Sequence, residues 1–188
     1  MPLSSEFLEN LLDAAGPSGF EVAPARAWRE EARGFSQEVW TDVTGNSIAT
    51  VNPQGSPRVM MAGHIDEIGL QVTHVNDEGF LFFDEIGGWD SQVLVGQRVE
   101  VLGRSGPVRG VVGQKPIHLL KKEEQEKATK TRDMWVDLGA SNATEVADLG
   151  IRVGDPMVLD ARMIRLAGDR IASRAVDNRI GAYVVLEA

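Results

Sequence analysis

The chain has 188 residues, 43% of them hydrophobic and 25% charged, with a net charge of −9 at pH 7 and no cysteine. These proportions are those of a globular protein with one ordinary or two small domains, not of a disordered or fibrous chain. The charge argues against nucleic acid and anionic membranes as partners, and the missing cysteines exclude disulfides, thiolate nucleophiles and Cys-bound zinc, so any metal must be held by His, Asp or Glu.

The N-terminus Met1-Pro2-Leu3-Ser4-Ser5 shows no signal peptide. No run approaches the ~20 apolar residues that a spanning helix needs. A cytoplasmic location is therefore expected. Ser4 or Ser5 followed by Phe7, Leu8, Leu11 and Leu12 has helical spacing and an N-cap. Gly16-Pro17-Ser18-Gly19 ends that helix. A second helix is expected over Glu21 to Ala32, with Gly34 as its stop. Glu38 to Asp42 and Ser47 to Val51 read as two short strands joined around Gly45-Asn46. Val59-Met60-Met61-Ala62 is a continuously apolar run, which suits a strand buried on both faces of an α/β sheet.

After about Leu70 the character becomes β. Gly69 to Val75, Gly79 to Phe83 and Arg98 to Leu102 are strand-like, and the last of these returns as a hairpin through Val108 to Val112. Thr144 to Leu149 is a short helix stopped by Gly150. Lys121 to Arg132 is charged and almost free of apolar residues, which predicts a mobile surface loop. Arg170 to Ser173 is strand-like, and Asp177 starts a helix that still lacks a stop signal at Leu186-Glu187-Ala188. The expected fold is thus α/β, with an α/β domain over residues 1–69 and 164–188 interrupted by a β-barrel or sandwich module over residues 70–163. The absent stop signal suggests the N-terminal portion of something longer.

Three segments could carry chemistry. In Gly63-His64-Ile65-Asp66, residues two apart on an extended chain point to one side, so His64 and Asp66 project together. An imidazole can bind a metal while a carboxylate fixes its other N–H; a satisfied histidine at a strand end is the plainer alternative. Asp177, in Ser173-Arg174-Ala175-Val176-Asp177-Asn178-Arg179, is either a helix N-cap or a metal-bridging carboxylate, while Arg174 and Arg179 suit salt bridges or surface contacts. Glu85-Ile86-Gly87-Gly88-Trp89-Asp90 is a shaped loop at a substrate entrance or a turn with a packed Trp. His74 and His118 read as structural or exposed.

In order and combination these segments resemble one family. Met60-Met61-Ala62-Gly63-His64-Ile65-Asp66-Glu67-Ile68-Gly69 is similar to the metal-site signature of the M42 metallo-aminopeptidases, the tetrahedral aminopeptidases related to glutamyl and deblocking aminopeptidases. Ile86 to Asp90, Gly113 to His118, Val136 to Ser141, Val153 to Pro156 and Ser173 to Arg179 follow in that family's order. The resemblance implies an exopeptidase acting on short peptides with two divalent ions, zinc or cobalt. It implies that His64 is a metal ligand, that Asp66 orients it, and that Asp177 bridges both ions. It implies that the β-module is a PDZ-like dimerisation insert, and that the assembly is a homo-oligomer built from dimers into a dodecamer. The family's paired glutamates, a further carboxylate and a distal histidine have no counterpart before Ala188, so this chain by itself is expected to be inactive. A non-catalytic oligomerisation or peptide-binding module is the alternative, and a glycoside hydrolase using paired carboxylates is a third reading.

Overall fold

Phe7, Leu11 and Leu12 recur at helical spacing, and in the computed structural model they form the buried stripe of α1 (Ser5–Asp13). The structure describes residues 5–188, apart from the side chains of residues 123 and 124; the Ser4 cap and the leading residues Met1 to Leu3 lie outside it. Leu11 and Leu12 are wholly buried, and each such side chain contributes about 1.5–3 kcal/mol. After a turn at residues 16–19 the chain forms α2 (Val22–Ala32), which buries Ala25, Trp28 and Ala32. A hairpin follows, with β1 (Glu38–Thr41) antiparallel to β2 (Ser47–Thr50). The Asp42 carboxylate ties its turn, accepting bonds from the Thr44 and Asn46 amides and from both side chains.

The chain divides into two compact units. The first comprises the described residues up to Glu67 together with Arg162–Ala188. Its core joins Phe7, Leu11, Trp28, Ala32, Ala182 and Leu186. The last two belong to α5 (Val176–Glu187). The Trp28 indole donates to the Ala182 carbonyl at 2.9 Å, and the Phe7 and Tyr183 rings stack at 5.7 Å. A second hairpin, β9 (Ile164–Leu166) with β10 (Arg170–Ala172), completes this unit.

The run Val59-Met60-Met61 departs from expectation. It forms no strand, and its residues are 81, 91 and 48% exposed. A buried strand requires neighbours on both edges. Among the described residues the sheets of this unit are the β1–β2 and β9–β10 hairpins, and neither pairs with the run.

The second unit, Ile68–Ala161, is a closed barrel in the order β3-β4-β7-β6-β5-β8. Its strands are β3 (Gly69–Val75), β4 (Leu81–Ile86), β5 (Arg98–Gly103), β6 (Gly106–Gln114), β7 (Met134–Asp137) and β8 (Pro156–Leu159). Every pairing is antiparallel. Closure removes free sheet edges. Alternation along the strands sends Leu70, Val72, Leu81, Phe83, Val99 and Val101 into one core. Strands β7 and β8, four residues each, are not among the strands expected from the sequence. The charged run expected to be a loop instead contains a helical turn, α3 (Lys122–Gln125), and a 3₁₀ turn at Thr131–Asp133.

The short helix α4 (Ala143–Asp148) shows how local chemistry fixes an element. Asn142 accepts from the Glu145 amide at 3.0 Å, and the Glu145 carboxylate accepts from the Ser141 amide at 2.8 Å. This reciprocal arrangement satisfies orphan donors at the helix start. Gly150 then terminates the helix at φ +81°, where a side chain would be strained. Replacing Asn142 with alanine is expected to lower stability by about 1 kcal/mol, read as a small drop in the urea midpoint followed by barrel fluorescence. Among the described residues no helix is long and apolar enough to cross a membrane.

Candidate metal and catalytic site

Gly63 is where the site begins. A Cβ on this residue would lie 2.6 Å from the Ala182 nitrogen and 2.7 Å from the Gly181 carbonyl carbon. The extended segment therefore runs against the backbone of α5, which only a residue without a side chain permits. The next residues alternate sides, and His64 and Asp66 emerge together. His64 Nδ1 and Asp66 Oδ1 are 2.8 Å apart, and His64 Nε2 lies 3.1 Å from Asp177 Oδ1. The structure thus brings all three predicted site residues into one constellation, although Asp177 is 111 positions beyond Asp66 in the sequence. The side chains are 55% exposed for His64, 33% for Asp66 and 95% for Asp177.

Asp177 does not serve as the helix cap. It and Asn178 have non-helical backbone angles, and the peptide bond between them is cis. The Asn178 side chain accepts from the Gly181 amide at 2.9 Å, closing the first true turn. The neighbour takes the capping role and leaves the Asp177 carboxylate open.

Burial raises the Asp66 carboxyl pKa, but hydrogen bonds from Ser18 and His64 outweigh it and hold the group below the usual carboxylate value. Asp66 is therefore an anion placed to accept from Nδ1, and the other ring nitrogen, Nε2, faces Asp177. An imidazole nitrogen beside an exposed carboxylate is a donor set that suits one edge of a divalent-cation site. Catalytic zinc usually takes three protein ligands. Among the described residues no group of three or more His, Asp or Glu is assembled to hold an ion, so the fit is to part of such a site.

Beneath the constellation lies a buried ionic clasp that the sequence reading missed. Glu67 and Arg179 are 5% and 0% exposed. Glu67 Oε1 accepts from Arg179 at 3.1 Å, from the Gly16 amide at 3.0 Å, and from Arg174. Arg179 also donates to the carbonyls of Ile65, Leu11, Leu12 and Ala14, at 2.8, 2.9, 3.1 and 2.5 Å. It satisfies the orphan carbonyls at the end of α1 while gripping the segment that carries His64 and Asp66. Burial lowers the guanidinium pKa, and Glu67 opposes that shift. The expectation of salt bridges for Arg174 and Arg179 is met; that of surface contacts is not. One sequence signal was available: Arg179, Ala182 and Leu186 share one helical face, and an arginine on an apolar stripe calls for a buried acid.

The remaining candidates resolve toward structure. The Trp89 indole donates to the Gly69 carbonyl at 2.8 Å and packs on the barrel core, while Asp90 caps a 3₁₀ turn by accepting from the Gln92 amide at 3.0 Å. His74 lies tilted against Phe82 at 5.9 Å, and His118 is exposed in a 3₁₀ turn.

Comparison with known proteins adds to this geometry. The profile of the family described as M42 glutamyl aminopeptidase matches residues 45–188. The lysyl aminopeptidase of Pyrococcus furiosus is 32% identical over 97% of this chain and 53% of its own. The crystal structure of a TET aminopeptidase from the marine sediment archaeon Thaumarchaeota archaeon SCGC AB-539-E09 superposes with a TM-score of 0.92 at 39% identity, over 97% of this chain and 51% of that one. The TET1 peptidase of Pyrococcus horikoshii, described as assembling into a tetrahedron or a large octahedral shell, gives 0.86 at 31% identity, over 97% and 54%. The chain spans about half the length of the curated relatives it matches.

Proposed function

This chain belongs to the M42 glutamyl aminopeptidase family, and from that premise we propose that it forms part of a metal-dependent aminopeptidase removing N-terminal residues from short peptides. The observation that carries the reading is the constellation of His64, Asp66 and Asp177. His64 and Asp177 would supply part of the ligand set for two divalent ions, zinc or cobalt, with Asp177 shared between them. Such a pair, when bound, supplies the Lewis acidity that activates water and polarises a scissile carbonyl. The chain's own contribution is orientation. Asp66 accepts the Nδ1 proton, which fixes the tautomer, aims Nε2 outward and raises its basicity. Asn178 spares the Asp177 carboxylate from capping. The Glu67–Arg174–Arg179 clasp keeps the two ligand-bearing segments in register.

Titration with Zn²⁺ or Co²⁺ by calorimetry tests the site. His64→Ala and Asp177→Asn are each expected to weaken binding by about 10-fold or more. Unchanged affinity in both variants would overturn the assignment. With two donors where catalytic zinc takes three, the 188-residue chain by itself should hydrolyse aminoacyl-nitroanilides at the background rate. Turnover matching that of the Thaumarchaeota relative assayed in parallel would refute this.

The same reading makes the chain part of a homo-oligomer, as the assemblies described for TET1 suggest. It places the barrel as a PDZ-like dimerisation insert and the protein in the cytoplasm. The barrel has a core of its own, which favours a non-catalytic oligomerisation or peptide-binding module as the second reading. Light scattering combined with metal analysis separates them: a large metal-loaded assembly supports the enzyme, and a metal-free dimer supports the module.

A further inference from the structure

Ser18 lies in the Gly16–Gly19 turn, which the sequence marks only as the end of a helix. In the fold this turn is held alongside Asp66 and Glu67. The Ser18 amide donates to the Glu67 carbonyl at 3.2 Å, and the Glu67 amide donates to the Gly16 carbonyl at 3.1 Å. The Gly16 amide donates to Glu67 Oε1 at 3.0 Å, and Pro17 and Glu67 form a parallel bridge. Gly19, at φ +89°, lets the chain turn away immediately afterwards. The backbone of Ser18 is thus pinned from both sides, and its hydroxyl donates to Asp66 Oδ2.

We propose that Ser18 is a positioning residue whose hydroxyl locks the Asp66 carboxylate and, through it, the imidazole of His64. The division of labour on Asp66 carries the argument. Oδ1 faces His64 Nδ1 and Oδ2 takes the Ser18 hydroxyl, so each oxygen has its own partner. A carboxylate anchored by one oxygen swings about its terminal torsion, which is broad and two-fold. Anchored by both, it presents a fixed acceptor to the ring. Asp66 is a third exposed, so water competes for Oδ2, and a hydroxyl on a pinned backbone outcompetes water because its ordering entropy is already spent. Partners of this outer kind set the tautomer and direction of a metal-binding histidine. Ser18 thereby keeps Nε2 aimed toward Asp177.

The inference rests on the metal-site reading for its purpose, but its first test needs no metal. The chain has three histidines, so ¹⁵N ring signals are few, and His64→Ala identifies those of His64. In the metal-free 188-residue chain the His64 ring signals report its contact with Asp66. Ser18→Ala is expected to shift them, and Ser18→Thr to restore them. The His74 and His118 signals should stay in place. Zinc affinity by calorimetry should fall by about 10-fold in Ser18→Ala and recover in Ser18→Thr. Ring signals unchanged by Ser18→Ala would overturn the proposal. So would a threonine variant whose backbone amides match the wild type while its His64 ring stays altered. If the His64 ring responds to Ser18 but the wild-type chain takes up no zinc or cobalt, the positioning role stands and the metal reading falls.

Discussion

Replacing Arg179 with methionine is expected to destabilise the unit that carries the site by about 3–5 kcal/mol. The side chain is wholly buried and donates to Glu67 and to carbonyls of α1 and of the His64 segment. Methionine has similar length but no donor. It leaves Glu67, itself almost fully buried, with a diminished counter-charge, and it orphans the last carbonyls of α1. Lysine keeps the charge but cannot reproduce the planar fork that reaches several acceptors at once, so Arg179→Lys is expected to recover only part of the loss. Hydrogen exchange resolves the effect by region. Amides of α1 and α5 should lose protection, whereas the barrel strands, whose core is separate, should keep theirs. Wild-type protection in α1 and α5 of Arg179→Met would show that the clasp contributes little.

Gly63→Ala should disturb the site more than its one added carbon suggests. The new Cβ would sit 2.6 Å from a backbone nitrogen and 2.7 Å from a backbone carbon of α5. Backbone atoms inside a helix cannot rotate aside as a flexible side chain can, so either the His64 segment or the helix must shift. Overpacking of this kind costs about 1–3 kcal/mol. The consequence for function follows from where the strain falls. His64 adjoins Gly63, and Asp177 stands at the head of that helix, with Nε2 and Oδ1 at 3.1 Å. A displacement of a few tenths of an ångström or more spoils a shared metal edge, so Zn²⁺ affinity is expected to fall by about 10-fold or more. Gly88→Ala is the control, since a Cβ there meets nothing within 4 Å. Equal zinc affinity in Gly63→Ala and wild type would show that the close approach does not position the site.

Ser18, Glu67 and Arg179 show the limit of reading this chain in one dimension. Their local signals were a helix stop, an acid beside Asp66 and an arginine suited to a salt bridge or a surface contact. Each acquires its role from a partner across a gap in sequence: Ser18 is 48 positions from Asp66, and Glu67 is 112 from Arg179. Spacing arguments act over a turn of helix or two residues of strand, so partners at such separations leave no periodic trace. The same limit explains the Val59-Met60-Met61 run, whose apolar composition says that it suits burial but not whether a neighbouring strand is present to bury it.

The sequence by itself determined the periodic elements, namely the amphipathic helices, the paired turns and the barrel's longer alternating strands. It also placed His64 and Asp66 on one side of an extended segment, because their relation depends only on local backbone geometry. Local spacing could not bring Asp177 to His64, which the resemblance alone implied; tertiary structure set their 3.1 Å contact, made Asn178 rather than Asp177 the cap of α5, and built the buried Glu–Arg clasp beneath. The physical reason is that a ligand pair, a cap choice and a buried charge are settled by which groups remain unsatisfied once distant segments pack together. His64 and Asp66 were legible as a pair from local spacing, and Asp177 lies beside them where α5 runs against Gly63.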